Sequence, residues 1–282
     1  MNSPLIDQCL IEELANSDSE IRSNALEKLE EWIKNTTTKK AISEETLKII
    51  SKGLYYTLWM QDKALLHEDL CDRIVIIHDL FKRAQEQVSY YFCLLSIIDQ
   101  NILSIDKWRI NKFLMLVRRI FRNIFNYVSK KNWNRSVCQK YIDMIDINIL
   151  NTEEIKFSNV MISHIVSVFM DEFDKALNVV PSKPEEQFLW YTPFLKALEN
   201  KNTSDYIFER ITKEIFGGIL LIIEMENSDD AEIERSSYHF PIVHISDSLF
   251  NIAKSDNVKS KRRKVLYNMV EKFKLVEKKY KQ

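Results

Sequence analysis

Glycine is scarce in this chain, at 3 of 282 residues, and proline is little commoner at 5. All-β folds, dinucleotide-binding sheets and phosphate loops all use glycine at tight turns and close backbone approaches, so its scarcity points to helices. Cysteine is limited to Cys9, Cys71, Cys93 and Cys138. They lie far apart inside helix-like apolar patterns, which supports neither a disulfide framework nor a Cys-x-x-Cys metal knuckle and suits a reducing compartment. The opening MNSPLIDQCLIEE has no basic start and meets acids too early for a signal peptide, so it is expected to stay on the mature chain. The most continuous apolar run, Ile215–Ile223, is closed by Glu214 and Glu224. It falls well short of the roughly 18 residues of a membrane-spanning helix, and no membrane partner is expected.

Catalytic signatures are missing as well. His67-Glu-Asp-Leu-Cys71 has a cysteine where a zinc protease has its second histidine, Gly217-Gly218 lacks the following Lys-Ser/Thr of a phosphate loop, and no G-x-S-x-G elbow occurs. His67, Cys71 and His78 share nearly one helical face, but Ile74 and Ile77 lie between them and a fourth ligand is wanting, so packing explains them better than zinc. Carboxylate pairs are plentiful in a chain with 29% charged residues, and nothing singles out one pair. An enzyme is not expected, nor a cofactor, a metal or a small-molecule substrate.

What the chain does have is helical periodicity. With 45% hydrophobic residues it can bury a sizeable core. Apolar stripes predict helices over about 18–35, 43–60, 63–84, 86–101, 104–130, 133–150, 157–178, 185–200, 204–227, 245–255 and 259–280, with Pro4 opening another. Asp62 is placed to cap the helix that follows the stretch Lys52–Lys63. Short polar joints between successive helices suit stacked antiparallel pairs, so the expected fold is all-α, a HEAT- or armadillo-like solenoid forming a single domain over 1–282, although no clean repeat is visible. The acidic segment 226–237 is the expected mobile loop.

The formal net charge of −1 hides a segregation. Residues 105–140 hold 10 Lys+Arg against 1 Asp+Glu, and 254–282 hold 11 against 3, in an otherwise acidic chain. Drawn as a helix at about 100° per residue, the first block puts Ile110, Phe113, Leu114, Leu116, Val117, Ile120, Phe121, Ile124 and Phe125 on one half. Lys107, Arg109, Lys112, Arg118, Arg119 and Arg122 fall on the other. Lys130, Lys131 and Arg135 continue the charge, with Trp133 among them as either core or ridge. Such a ridge suits RNA phosphates or an acidic protein face; the same cations also suit pairing with neighbouring acidic helices. A binding ridge predicts that reversing Lys112, Arg119 and Arg122 to Glu leaves stability nearly unchanged. Lys261, Arg262, Arg263 and Lys264 resemble a nuclear import signal, and equally suit the wet side of the last helix.

GLYYTLWMQDKALLHEDL, followed by SIDKWRINKFLMLVRRIFRNIF, resembles the paired signature of the ribosomal RNA-processing protein 1 family of nucleolar large-subunit assembly factors. The matching positions are Gly53, Leu54, Tyr55, Trp59, Met60, Asp62 and Lys63, then Ile105, Asp106, Arg109, Lys112, Phe113, Leu116, Val117, Arg118 and Arg119. SLFNIAKSDNVKSKRRKVLYNMVEKF is similar to the family's closing pattern; many relatives carry a long basic tail, and no tail-dependent contact is expected from these residues. The resemblance implies a non-enzymatic factor of the nucleolus that joins pre-60S particles, contacting pre-ribosomal RNA and other assembly factors while others cleave. Trp59, Asp62, Lys63 and Asp106 are then a family corner, expected to gather with Arg109 along one edge if stacked hairpins align their turns. The alternative is a HEAT-type protein–protein adaptor that never touches RNA.

Overall fold

A computed structural model describes residues 6–151, 157–226 and 239–280. Pro4, and the acidic segment 226–237 apart from Glu226, lie outside them. Among the described residues every regular element is helical: the fold is all-α. The chain divides into two compact units, Met1–Ile124 and Phe125–Gln282.

The first unit contains α1 (Gln8–Leu14), α2 (Ser19–Lys39), α3 (Glu44–Trp59), α4 (Ala64–Ile76) with a 3-10 turn at Ile77–Leu80, α5 (Ala84–Asn101) and the start of α6 (Ile110–Lys130). Side chains cap most of the helix starts: Asp7, Asp18 and Ser43 each accept a backbone N–H from the first turn of α1, α2 and α3. α1 packs on α2 and α3, and α3 packs on α5. Gly53 permits the α1–α3 approach, since a Cβ there would stand 2.9 Å from the buried Leu14 Cδ1. Glu86, buried on α5, accepts from Ile42 N at 2.7 Å and Thr37 Oγ1 at 2.7 Å, fastening the α2–α3 joint to α5.

The second unit continues α6 and adds α7 (Arg135–Asp143), α8 (Asn159–Val179), α9 (Pro184–Glu199), α10 (Asp205–Arg210), α11 (Gly217–Glu226), α12 (Ile242–Lys254) and α13 (Ser260–Tyr280), with π-helical turns at Met144–Leu150 and Ile211–Phe216. Phe125, Phe169, Phe173 and Trp190 form an aromatic core, with Phe125 within 5.2 Å of Phe169, 5.0 Å of Phe173 and 5.1 Å of Trp190. Pro193 inside α9 cannot donate to the carbonyl of Leu189. Thr192 Oγ1 donates to that carbonyl at 2.7 Å instead. α12 and α13 pack on each other as the closing pair.

Two local expectations are corrected. Asp62 caps nothing; Lys63 occupies the cap position of α4 and makes no capping side-chain bond. The helix expected from Ser104 starts at Ile110, because Asp106 takes the amides of Trp108 at 2.9 Å and Arg109 at 3.0 Å and holds the chain in a turn before α6.

Candidate functional site

In the first unit the two signature segments meet at Lys112. This residue is 4% exposed, and its Nζ donates to the carbonyls of Trp59 and Gln61, both at 2.8 Å, capping the C-terminal end of α3 from another helix. Burial pushes its pKa down to about 8, opposed first by the charge of Asp62 and also by that of Asp106. Arg109 lies 4.9 Å over the Trp59 ring and donates to Asp106 Oδ2 at 2.5 Å. That bond, ahead of the turn amides, holds the Asp106 carboxyl below the usual carboxylate range. Phe113 stacks on Tyr55 at 4.6 Å and lies 6.2 Å from Trp59. Trp59, Asp62, Asp106 and Arg109 thus gather about one ammonium, while Lys63 is exposed and in no ion pair among the described residues. The signature reads as a lock between α3 and α6.

The cationic half of α6 is accordingly not one outward ridge. Lys112 is turned inward because the carbonyls ending α3 need a donor, which corrects its expected exposure. Arg119, 20% exposed at its side chain, pairs with Glu68 and Asp72 of α4, each at 3.3 Å. Arg118 and Arg122 are half-buried. Reversal of Lys112, Arg119 and Arg122 to Glu is therefore expected to destabilise the unit, against the sequence expectation. Lys107 is exposed, lying 4.9 Å over Trp108, itself 82% exposed. The sequence reading passed over Trp108; its place between Lys107 and Arg109, off the apolar stripe, was the available signal.

In the second unit α6 ends at a rigid corner. Asn132 and Trp133 have φ of 51° and 53°, the left-handed region that bulky residues seldom enter. They are held there because Trp133 N donates to Val128 O at 3.0 Å, and its indole Nε1 donates to Val180 O at 2.7 Å. Trp133 is buried against Phe173. Asn134 then caps α7. Lys130, Lys131 and Arg135 project from this corner, exposed and in no ion pair among the described residues, with Lys131 5.8 Å over Tyr127.

The import-like motif is helical and split. Arg262, 6% exposed, donates to Asp205 Oδ1 and Thr203 O and lies 4.9 Å over Phe208. Arg263 donates to the carbonyls of Ser255 and Val258. Lys261 and Lys264 remain exposed. The outward reading is corrected for Arg262, whose guanidinium is needed to join α13 to the turn before α10. Elsewhere, His78 stacks on Tyr91 at 4.7 Å, and burial pushes the Cys71 thiol up to about 12. Among the described residues no group of three or more metal-ligating side chains occurs, and no helix is long and apolar enough to cross a membrane.

The sequence pattern of the family described as "Nucleolar protein, Nop52" matches residues 6–270. The chain belongs to this family. It is similar to proteins called "Ribosomal RNA processing protein 1 homolog" from Caenorhabditis elegans (30% identity, covering 95% of this chain and 67% of the relative) and Drosophila melanogaster (31%, covering 60% and 25%). It is also similar to the human "Ribosomal RNA processing protein 1 homolog B" (25%, covering 73% and 27%). The chain thus spans about two thirds of the nematode relative and about a quarter of the fly and human ones.

Proposed function

We propose that this chain is a non-enzymatic ribosome biogenesis factor. It works in the nucleolus as a scaffold of stacked helix pairs, HEAT-like in plan, within pre-60S particles, and it supports pre-rRNA processing by contacting RNA and other assembly factors. Family membership supports the setting, since the relatives carry ribosomal RNA processing in their names. The observation that carries the contact is the α6–α7 corner: Lys130, Lys131 and Arg135, unpaired among the described residues, on a backbone locked by Trp133. Lys107 beside Trp108 is a second outward cation. The inward bonds of Lys112 and Arg119 take those two out of the contact set.

The test is the salt dependence of single-stranded RNA binding by the full chain. Each phosphate neutralised on a single strand adds about 0.7 to the slope of log affinity against log salt. Changing Lys130, Lys131 and Arg135 to Gln is expected to make the slope shallower by about 2 while leaving the melting temperature unchanged. A flat salt response in the parent chain would favour the adaptor that binds protein alone.

A further inference from the structure

The second basic block, 254–282, divides in the structure into cations that hold the fold and cations that do not. Arg262 and Arg263 are spent on Asp205 and on backbone carbonyls, as described. Lys254, Lys264 and Lys274 are exposed and in no ion pair among the described residues. Two of them lie against the same aromatic ring. Lys254 Nζ, from α12, stands 4.3 Å from the centroid of the Phe250 ring, and Lys274 Nζ, from α13, stands 5.2 Å from the same ring. The quadrupole of an aromatic face attracts an ammonium without neutralising it, so the ring favours both charges near it and leaves their hydrogen-bond donors available. Tyr267, 36% exposed, meets Phe250 edge-on at 6.0 Å between centroids. An open recess of about 480 Å³ runs along this part of α13, bordered by Lys264, Tyr267, Asn268 and Glu271.

Ammoniums gathered beside a partly exposed aromatic ring suit a flexible polyanion with stacking bases. An acidic peptide would use the ammoniums and leave Tyr267 idle. We infer that the α12–α13 hairpin carries a contact for single-stranded RNA, with Lys254, Lys264 and Lys274 on phosphates and Tyr267 against a base. The inference rests on the reading that the chain contacts RNA, and it adds a site that neither the signature nor the α6–α7 corner includes.

The experiment uses the full chain and a labelled single-stranded RNA of mixed sequence, titrated across a salt series. Changing Lys254, Lys264 and Lys274 to Gln is expected to weaken binding and make the salt slope shallower by about 2, with melting temperature and helical circular dichroism kept. Tyr267→Leu is expected to weaken binding about tenfold without changing the slope, and Arg at the three lysine positions to restore affinity. If the triple Gln chain lost its fold, Lys264→Gln alone would carry the test, with a slope change of about 0.7. Unchanged affinity and slope in the Gln variants would overturn the inference. So would loss of poly-glutamate binding in the triple variant while Tyr267→Leu leaves RNA binding intact, which would make the hairpin an acidic-protein site. If the α6–α7 variant weakens RNA binding and the hairpin variant does not, the hairpin fails and the proposed function stands; a parent chain that binds no RNA defeats both.

Discussion

Replacing Lys112 by Ala would strand the carbonyls of Trp59 and Gln61 in a buried place, and a buried polar group without its partner costs about 1–3 kcal/mol. A loss of that size in urea denaturation is expected for Lys112→Ala, against no measurable change for the exposed Lys107→Ala. The same residue sets a pH dependence. Its folded pKa is about 8 and its ordinary value 10.5, so in that window the unfolded chain binds the proton more firmly, and stability rises as pH climbs from about 8 towards 10.5. Lys112→Met should flatten that rise. Arg262 poses the same contrast at the other end of the chain. Arg262→Ala is expected to cost about 1–3 kcal/mol through its bonds to Asp205 and Thr203, whereas Lys261→Ala and Lys264→Ala stay within about 0.5 kcal/mol. Sequence could not separate these lysines and arginines, because each lies on a helix where charge is tolerated. The partner that turns one inward belongs to a segment about fifty residues away, as Trp59 does for Lys112.

At the scale of the element, the helices follow local rules. Apolar spacing set where α2, α3, α5 and α8 run, within a few residues of their observed ends. Caps were less legible. Asp62 and Asp106 both precede a helix, yet Asp106 accepts turn amides and Asp62 does not. Asp62 stands one residue ahead of the cap position, which Lys63 fills, and that register is not specified by residue type alone. Asp106→Ala is expected to cost about 1 kcal/mol and Asp62→Ala less, since Asp62 loses no cap and only its charge acting on Lys112, measured as shifts in denaturation midpoint. The breaks at Met144–Leu150 and Ile211–Phe216 were also invisible as periodicity. In the first of these the extra residue in the turn is accommodated by Asp146, whose backbone carbonyl accepts from Asn151 N at 2.8 Å and whose side chain accepts from Asn151 Nδ2 at 2.6 Å.

For the whole molecule, net charge is a poor guide and local charge a good one. The sequence pI is about 6.6, so above that pH the chain is negative overall and a net-charge mechanism would predict repulsion from RNA. Binding that persists at pH 8 with a steep salt slope is expected if Lys130, Lys131 and Arg135 make the contact, because screening limits the reach of distant acids to about a Debye length, roughly 10 Å at 0.1 M salt. Loss of binding on passing the pI would refute a local site.

Taken alone, the amino-acid order determined the all-α class, the approximate helix positions, the separation of basic from acidic stretches and the family, since each depends on neighbours along the chain or on short signatures. Tertiary structure decided which cations face outward. A helix surface has two candidate sides for every charge near its apolar edge, and the choice is made by acceptors on another element: the end of α3 for Lys112, α4 for Arg119, the turn before α10 for Arg262. Desolvating an ammonium or guanidinium is tolerated only where such acceptors stand ready, and their positions are properties of the packed molecule.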